Sequence, residues 1–130
     1  MSERLRDRRI LVVDDDNDTR EMLRFILEQE GGQVTAVGSV AEALETYKRS
    51  RPQVIVADIG MPEHDGYALI AMIRDYDKEL GQTTPVIALT AYTSAADEKT
   101  ALAAGFQRYM SKPFEPAEVI EEIRSVLISS

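Results

Sequence analysis

The chain contains no cysteine and only one histidine. The lack of cysteine excludes disulfide bonds, thiolate metal sites and catalysis by a thiol. The single histidine, His64, lies in a short stretch rich in turn residues and has no companion. We therefore expect a solvated loop residue rather than a metal ligand or a phosphodonor. The side chains left to carry chemistry are carboxylates, hydroxyls and amines.

Long apolar runs are also missing, and positive charge is scarce. No apolar stretch approaches the roughly 20 residues that cross a bilayer, and the apolar run after the basic start is too short for a signal-peptide core. The chain has 15 basic and 23 acidic side chains and a formal net charge of −8. Such a charge argues against a nucleic-acid-binding surface, because that surface has to neutralise phosphates. We expect a cytoplasmic protein that binds neither membranes nor nucleic acids.

Five short runs with strand character alternate with helical patterns along the 130 residues. The runs are Ile10–Val13, Gln33–Val37, Val54–Ala57, Pro85–Leu89 and Phe106–Met110. Most are apolar throughout, as is typical of strands buried on both faces of a parallel sheet. The pattern predicts an α/β fold, a single (βα)5 domain whose doubly wound parallel sheet has helices on both faces. We assign residues 1–8 to a short basic leader and residues 9–128 to this domain, with no output domain.

Capping residues indicate where several helices begin. Asn17 or Asp18 can cap the first helix, and Ser39 with Glu42 forms a capping box for the second. Pro116 suits the first turn of the last helix. These residues divide the chain into helices of about three turns between strands of four or five residues.

Polar side chains follow four of the five strands, at the point where each strand ends. Asp14 and Asp15 follow the first strand, Asp58 the third, Thr90 the fourth and Lys112 the fifth. In an open parallel sheet these ends meet at one edge, which is where ligands bind. Three neighbouring carboxylates raise one another's pKa values unless cations intervene, and Lys112 supplies only one positive charge. Oxygen ligands without histidine or cysteine favour a hard cation such as Mg²⁺.

An acidic cluster that holds a metal and faces a lysine and a hydroxyl is suited to a phosphoryl group. The metal and the ammonium neutralise charge on the phosphoryl oxygens, and the hydroxyl donates a hydrogen bond. The chain has no glycine-rich phosphate loop, so a nucleotide is not the obvious donor. A carboxylate can itself accept the group as an aspartyl phosphate.

Four phrases at the strand ends resemble the signatures of response-regulator receiver domains of two-component phosphorelay systems. They are Val12-Val13-Asp14-Asp15, Asp58-Ile59-Gly60-Met61-Pro62, Leu89-Thr90-Ala91 and Lys112-Pro113-Phe114. The resemblance covers roughly residues 9 to 127, with the phrases in the family's order and at its spacing. It implies the flavodoxin-like strand order 2-1-3-4-5.

The resemblance also implies a phosphoacceptor and a metal site. Asp58 would accept a phosphoryl group from a phosphohistidine on a histidine kinase or a histidine phosphotransfer protein. Asp15 would ligate Mg²⁺ directly and Asp14 through water, with Asp58 and the backbone carbonyl of Gly60 completing the protein ligands. Mn²⁺ can substitute for Mg²⁺ in such a site.

Other positions would bind and report the phosphate. By the same resemblance, Lys112 would bind the phosphoryl oxygens, and Thr90 with the backbone N–H of Ala91 would engage the attached phosphate. Tyr109 matches the aromatic switch that turns inward as Thr90 moves. The Lys112–Pro113 bond is expected to be cis, consistent with cis bonds being largely a property of proline.

The function that the resemblance implies is a phosphorylation switch that catalyses its own Mg-dependent phosphotransfer and autodephosphorylation. Phosphorylation would change the surface of helix 4, strand 5 and helix 5, about residues 93–127, for a downstream protein partner or a homodimer. Three alternatives stay open: a stand-alone regulator, a receiver module excised from a hybrid histidine kinase, and a binding module that does not use phosphorylation.

Two positions that vary among such domains affect how long the phosphate survives. They are the position two after Asp58 and the position two after Thr90, here Gly60 and Tyr92. Glycine has no side chain to orient an attacking water, and a tyrosine can obstruct one. We therefore expect slow autodephosphorylation.

Overall fold

Five strands and five helices alternate in the computed structural model, which describes residues 4–59, 65–91 and 95–129. The elements are β1 (Arg9–Val13), α1 (Asn17–Gln29), β2 (Gln33–Val37), α2 (Val40–Ser50), β3 (Val54–Asp58), α3 (Asp65–Leu80), β4 (Val86–Thr90), α4 (Ala95–Ala104), β5 (Arg108–Ser111) and α5 (Pro116–Ser129). All strand pairings are parallel, in the order β2-β1-β3-β4-β5. The predicted fold and strand order are confirmed. None of the helices in these ranges has the length and apolarity needed to cross a membrane.

The interior strands are apolar because both faces of the sheet are covered. Every residue of β3 and β4 is buried, whereas the edge strand β2 alternates between exposed and less exposed positions. On one face, Leu11 and Ile55 pack with Ile73 of α3. On the other face, Ile10 packs with Leu23 of α1 and with residues of α5. This alternation gives two apolar layers, one on each side of the sheet.

Several boundaries differ by one residue from those expected, and two differences show which contacts set the ends of the elements. The N-cap of α1 is Asp16, whose carboxylate accepts the backbone N–H of Thr19 at 3.1 Å, rather than Asn17 or Asp18. The last strand begins at Arg108, two residues later than predicted, because Phe106 is buried in the core and packs edge-on against Tyr67 at 6.1 Å between ring centroids. The caps at Ser39 and Pro116 are as predicted.

The beginning of α3 lies against the backbone that follows β3. A Cβ added to Gly66 would stand 2.4 Å from Cα of Ile59 and 2.8 Å from the carbonyl oxygen of Asp58. No larger residue fits without moving this backbone, since side-chain rotation cannot relieve a clash at Cβ. Gly66 therefore fixes how closely α3 approaches the end of the Asp58 strand.

A buried polar network joins α2, α3 and the residues just before β4, at the edge of the sheet where the strands begin. Asp77 is 3% exposed and accepts hydrogen bonds from the hydroxyl of Tyr47, from both the backbone and the hydroxyl of Thr84, and from Arg74. Arg74 also donates to the carbonyl of Gly105 at 2.7 Å. Burial acts to raise the pKa of Asp77, but these donors outweigh it and the pKa is lowered.

The residues before β1 are packed against the domain from Arg4 onward. Leu5 is fully buried in the α1 and α5 layer, and its N–H donates to the carbonyl of Glu30 at 2.9 Å. Arg4 forms an ion pair with the Glu30 carboxylate at 3.1 Å. Sequence analysis placed this segment in a leader because a single leucine among arginines shows no periodicity.

We predict that Leu5→Ala lowers the free energy of unfolding by about 2–4 kcal/mol, because it removes a buried side chain and leaves a cavity. Urea unfolding followed by circular dichroism measures the loss. Leu102→Ala is the matched control, since Leu102 is 43% exposed, and it should change stability by less than about 1 kcal/mol. Equal effects of the two substitutions would show that the segment before β1 adds nothing to the core.

Candidate functional site

The predicted site residues lie along the carboxyl edge of the sheet. Asp58 and Thr90 are the last residues of β3 and β4, Asp14 directly follows β1, and Lys112 directly follows β5. Because β4 and β3 lie between β5 and β1, the side chain of Lys112 crosses the ends of both strands. The sheet order therefore brings together groups from four strands.

Lys112 connects two buried carboxylates. Its Nζ lies 3.0 Å from Oδ2 of Asp14 and 3.1 Å from Oδ2 of Asp58, and these acidic side chains are 1% and 8% exposed. The backbone N–H of Lys112 donates to the carbonyl of Thr90 at 2.8 Å, which extends the pairing of β4 and β5 by one residue. The Lys112–Pro113 bond is cis, as expected.

Three carboxylates converge on one point. Asp14, Asp15 and Asp58 each offer an oxygen, and these oxygens lie within 4.8 Å of one another. Asp15 is exposed, so the cluster is open to solvent on that side. Three negative charges and the single ammonium of Lys112 leave an excess of two negative charges, which a divalent cation would balance. An all-oxygen donor set of this kind fits a hard cation such as Mg²⁺.

The pKa values show that the charges are incompletely compensated. Burial raises the pKa of Asp14, and the negative charge of Asp58 adds to that effect, although the N–H of Asp16 and the Lys112 ammonium oppose it. Burial acts to lower the pKa of Lys112, but its hydrogen bonds to the two carboxylates outweigh burial and the pKa is raised. Lys112 is thus held in its protonated form, whereas ionisation of Asp14 is disfavoured chiefly by its burial.

Two contacts that sequence analysis missed hold Asp14 in place. The N–H of Asp16 donates to Oδ1 of Asp14 at 2.9 Å, and Nη1 of Arg20 donates to the Asp14 carbonyl at 2.7 Å. A Cβ on Gly38 would lie 2.8 Å from that Arg20 nitrogen, so glycine leaves the space that the guanidinium occupies. Arg20 follows no apolar strand, and neither Arg20 nor Gly38 belongs to a phrase of the resemblance.

The residues expected to report a phosphate lie on or beside β4 and β5. Thr90 is fully buried, and Ala91, the next residue, is exposed. The hydroxyl of Tyr109 on β5 is buried without a hydrogen-bond partner among the described residues. Burial raises the pKa of Tyr109, and the nearby charge of Asp97 raises it further.

Three residues singled out from the sequence lie outside the described residues. They are Gly60, expected to offer a carbonyl to the metal, His64, expected in a solvated loop, and Tyr92, expected to affect phosphate lifetime.

We predict that Asp14→Asn raises the free energy of unfolding in metal-free buffer by about 1 kcal/mol, because it removes an undercompensated buried charge and keeps an acceptor for the Asp16 N–H. Urea unfolding in EDTA measures the change. Asp75→Asn, at an exposed position of α3, is the control and should shift stability by less than about 0.5 kcal/mol. A clear loss of stability in Asp14→Asn would contradict the charge balance derived above.

We also predict opposite effects of one substitution at two tyrosines. Tyr109→Phe should be neutral or stabilising by up to about 1 kcal/mol, because it removes a buried hydroxyl that lacks a partner. Tyr47→Phe should destabilise by about 1–2 kcal/mol, because its hydroxyl donates to buried Asp77. Thermal and urea unfolding of both variants measure the contrast, and similar losses in both would mean that the Tyr109 hydroxyl is satisfied in solution.

Known proteins with similar sequences indicate one family. The family model described as response regulator receiver domain matches residues 10–124. An uncharacterised 14.6 kDa protein of Leptolyngbya boryana is 46% identical over 120 residues, which make up 92% of this chain and 90% of that protein. Transcriptional regulatory protein CseB of Streptomyces coelicolor is 36% identical over 91% of this chain, which spans only 48% of CseB.

A solved structure shows the same fold. The crystal structure of a putative response regulator from Chloroflexus aurantiacus superposes with a TM-score of 0.86 at 32% identity, and the match covers 95% of this chain and 99% of that one. The chain spans about half the length of CseB and of other transcriptional regulators that it matches. With a family model over nearly the whole chain and a strand-end site of this composition, the chain belongs to the response-regulator receiver-domain family.

Proposed function

We propose that the domain accepts a phosphoryl group on Asp58 from a phosphohistidine on a histidine kinase or a histidine phosphotransfer protein. The observation that carries the proposal is the position of Lys112 Nζ, which is within hydrogen-bond distance of both Asp14 and Asp58. This arrangement keeps one carboxylate at the end of the central strand beside a fixed positive charge. A carboxylate so placed can act as a nucleophile toward a phosphoryl group.

The proposed step conserves atoms and charge. A carboxylate oxygen of Asp58 attacks the phosphorus, an O–P bond forms, and the P–N bond to the donor imidazole breaks with the electron pair leaving on nitrogen. The Lys112 ammonium, 3.1 Å from the Asp58 carboxylate, hydrogen-bonds a phosphoryl oxygen after transfer. The buried backbone around Asp58 orients the nucleophile, since the residue is the last of a strand paired on both sides.

The acidic cluster supports a requirement for a divalent cation. Asp14, Asp15 and Asp58 would hold Mg²⁺, or Mn²⁺ in its place, together with the backbone carbonyl of Gly60. When bound, the cation would neutralise the negative charge of the phosphoryl oxygens beside three carboxylates. The excess of two negative charges in the cluster supports a divalent cation at this site.

We propose that phosphorylation is reported through β4 and β5. The Thr90 hydroxyl and the Ala91 N–H would bind the attached phosphate, and movement of Thr90 would let Tyr109 pack further inward. The surface of α4, β5 and α5 would then bind a downstream protein or a second copy of the chain. Leu102, which is 43% exposed on α4, offers an apolar contact on this surface. The domain would work in the cytoplasm, mainly as a signalling switch that catalyses its own phosphorylation and autodephosphorylation.

We predict that incubation with acetyl phosphate and Mg²⁺ adds one phosphoryl group to the protein, as measured by intact mass. EDTA should abolish the gain, because the carboxylates would otherwise repel the donor. Asp58→Asn should also abolish it, since the amide is not a nucleophile, while the matched control Asp75→Asn should be modified like the wild type.

A gain that persists in Asp58→Asn would place the acceptor elsewhere, and a gain that persists in EDTA would remove the metal from the proposal. If acetyl phosphate fails, the same comparison with a phosphorylated histidine phosphotransfer protein decides between a donor-specific receiver and a module that works through binding alone.

A further inference from the structure

A polar cavity lies at the amino edge of the sheet, which is the edge opposite to Asp58. It has a volume of about 320 Å³ and is lined by the segments that precede β1, β3 and β4, and by the end of α5. Its basic lining residues are Arg8, Arg9 and Arg51. A smaller cavity of about 150 Å³ continues from it through Arg8 and Leu127, and adds Arg4 and Arg124. We call the two together the arginine groove.

The arginine groove is strongly positive although the chain has a formal net charge of −8. No carboxylate lines either cavity among the residues that the structure describes. In that part of the chain Arg8, Arg9 and Arg51 have no acidic side chain within ion-pair distance, whereas Arg4 and Arg124 pair with glutamates. Three arginines therefore line one cavity without an acidic partner among the described residues.

The carboxylate buried below this edge does not neutralise them. Asp77, whose hydrogen bonds reach the lining residues Thr84 and Gln82, already pairs with Arg74 at 2.8 Å. Its negative charge is thus paired within the fold.

Part of the groove is held in a fixed conformation. The Arg9 guanidinium donates to the carbonyls of Ser50 and Arg51 at 3.1 to 3.2 Å, which places it across the C-terminal end of α2. The Arg51 backbone is in the left-handed region with φ 47°, and its N–H caps α2 through the carbonyl of Tyr47. A preorganised cation costs less to order on binding than a freely moving one.

The shape and lining favour a small organic anion. The larger cavity falls at the lower end of the volumes typical of small-molecule sites, and Pro52, Pro85 and Leu127 supply apolar contacts beside the charges. All its basic side chains are arginines, whose planar guanidinium groups bind phosphate oxygens in pairs. A nucleic acid is disfavoured, because the net charge of −8 repels a long polyanion.

We propose that the arginine groove binds a small phosphate-bearing molecule of the nucleoside polyphosphate class. The phosphates contact Arg8, Arg9 and Arg51, and the organic part packs on the prolines and Leu127. The site is independent of Asp58, since it is formed by the opposite ends of the strands.

The test is a titration of the full chain with ATP and with inorganic pyrophosphate in EDTA, followed by ¹H–¹⁵N NMR at constant ionic strength. EDTA keeps metal-bound phosphate away from the carboxylate cluster. We expect saturable shifts of the amides of Gln53, Thr83 and Thr84 with both probes, and tighter binding of ATP because its organic part adds contacts. Citrate, a carboxylate probe of similar charge, should bind more weakly than pyrophosphate.

Substitutions then locate the site. Arg8→Gln with Arg51→Gln should weaken ATP binding by about tenfold or more, since it removes two of the three guanidinium groups that would bind the phosphates. Arg8→Lys with Arg51→Lys keeps the charge but loses the paired donors. Its affinity for ATP should lie between those of the wild type and the glutamine pair. The control pair Arg49→Gln with Lys99→Gln removes the same charge from exposed positions outside the groove and should leave the affinity unchanged.

Four results would overturn the proposal. They are the absence of saturable shifts, equal shifts with chloride or citrate, unchanged affinity in the glutamine pair, and binding of a single-stranded oligonucleotide without binding of ATP.

Discussion

One ammonium shared by two buried carboxylates is the constraint on which the rest of the structure depends. Lys112 lies at about 3 Å from both Asp14 and Asp58, and its side chain crosses the ends of β4 and β3 to reach them. Burying two acids beside a single base is unfavourable, since desolvation is incompletely offset by the ion pairs. The sheet core has to stabilise this arrangement, and the fully buried strands β3 and β4 provide that stability.

Buried carboxylates at the two edges of the sheet have opposite environments. Asp77 accepts hydrogen bonds from Tyr47, Thr84, Gln82 and Arg74, and these donors outweigh burial, so its pKa is lowered. Asp14 has one backbone donor and a share of Lys112, and its pKa is raised. A carboxylate that the protein satisfies stabilises the fold, whereas one that it leaves undercompensated keeps an affinity for a cation. The buried carboxylate at the amino edge is therefore satisfied within the fold, whereas the carboxylates at the carboxyl edge form the candidate cation site.

The strands and the strand-end residues were predicted from apolar runs and from one rule about parallel sheets, whereas the strand order was predicted from the resemblance to receiver domains. The sequence could not predict contacts between residues without a pattern. Leu5 is buried by the tertiary fold alone, and Arg20 is placed by the space beside Gly38. The cap of α1 at Asp16 was missed because residues 14–18 are all Asp or Asn, each able to cap a helix, and only backbone geometry selects one. The hydrophobic pattern of the sequence thus defines the sheet, whereas side-chain packing in the fold defines the environment of each charge.

The separation of charge along the strands follows from their parallel direction. Because all five strands point the same way, every residue that precedes a strand lies at one edge and every residue that follows one lies at the other. Arginines precede β1 and β3, and aspartates follow β1 and end β3. An acidic cluster and an arginine groove are thereby held apart by the length of a strand and do not neutralise each other. The cation proposed for one edge and the anion proposed for the other would therefore not compete.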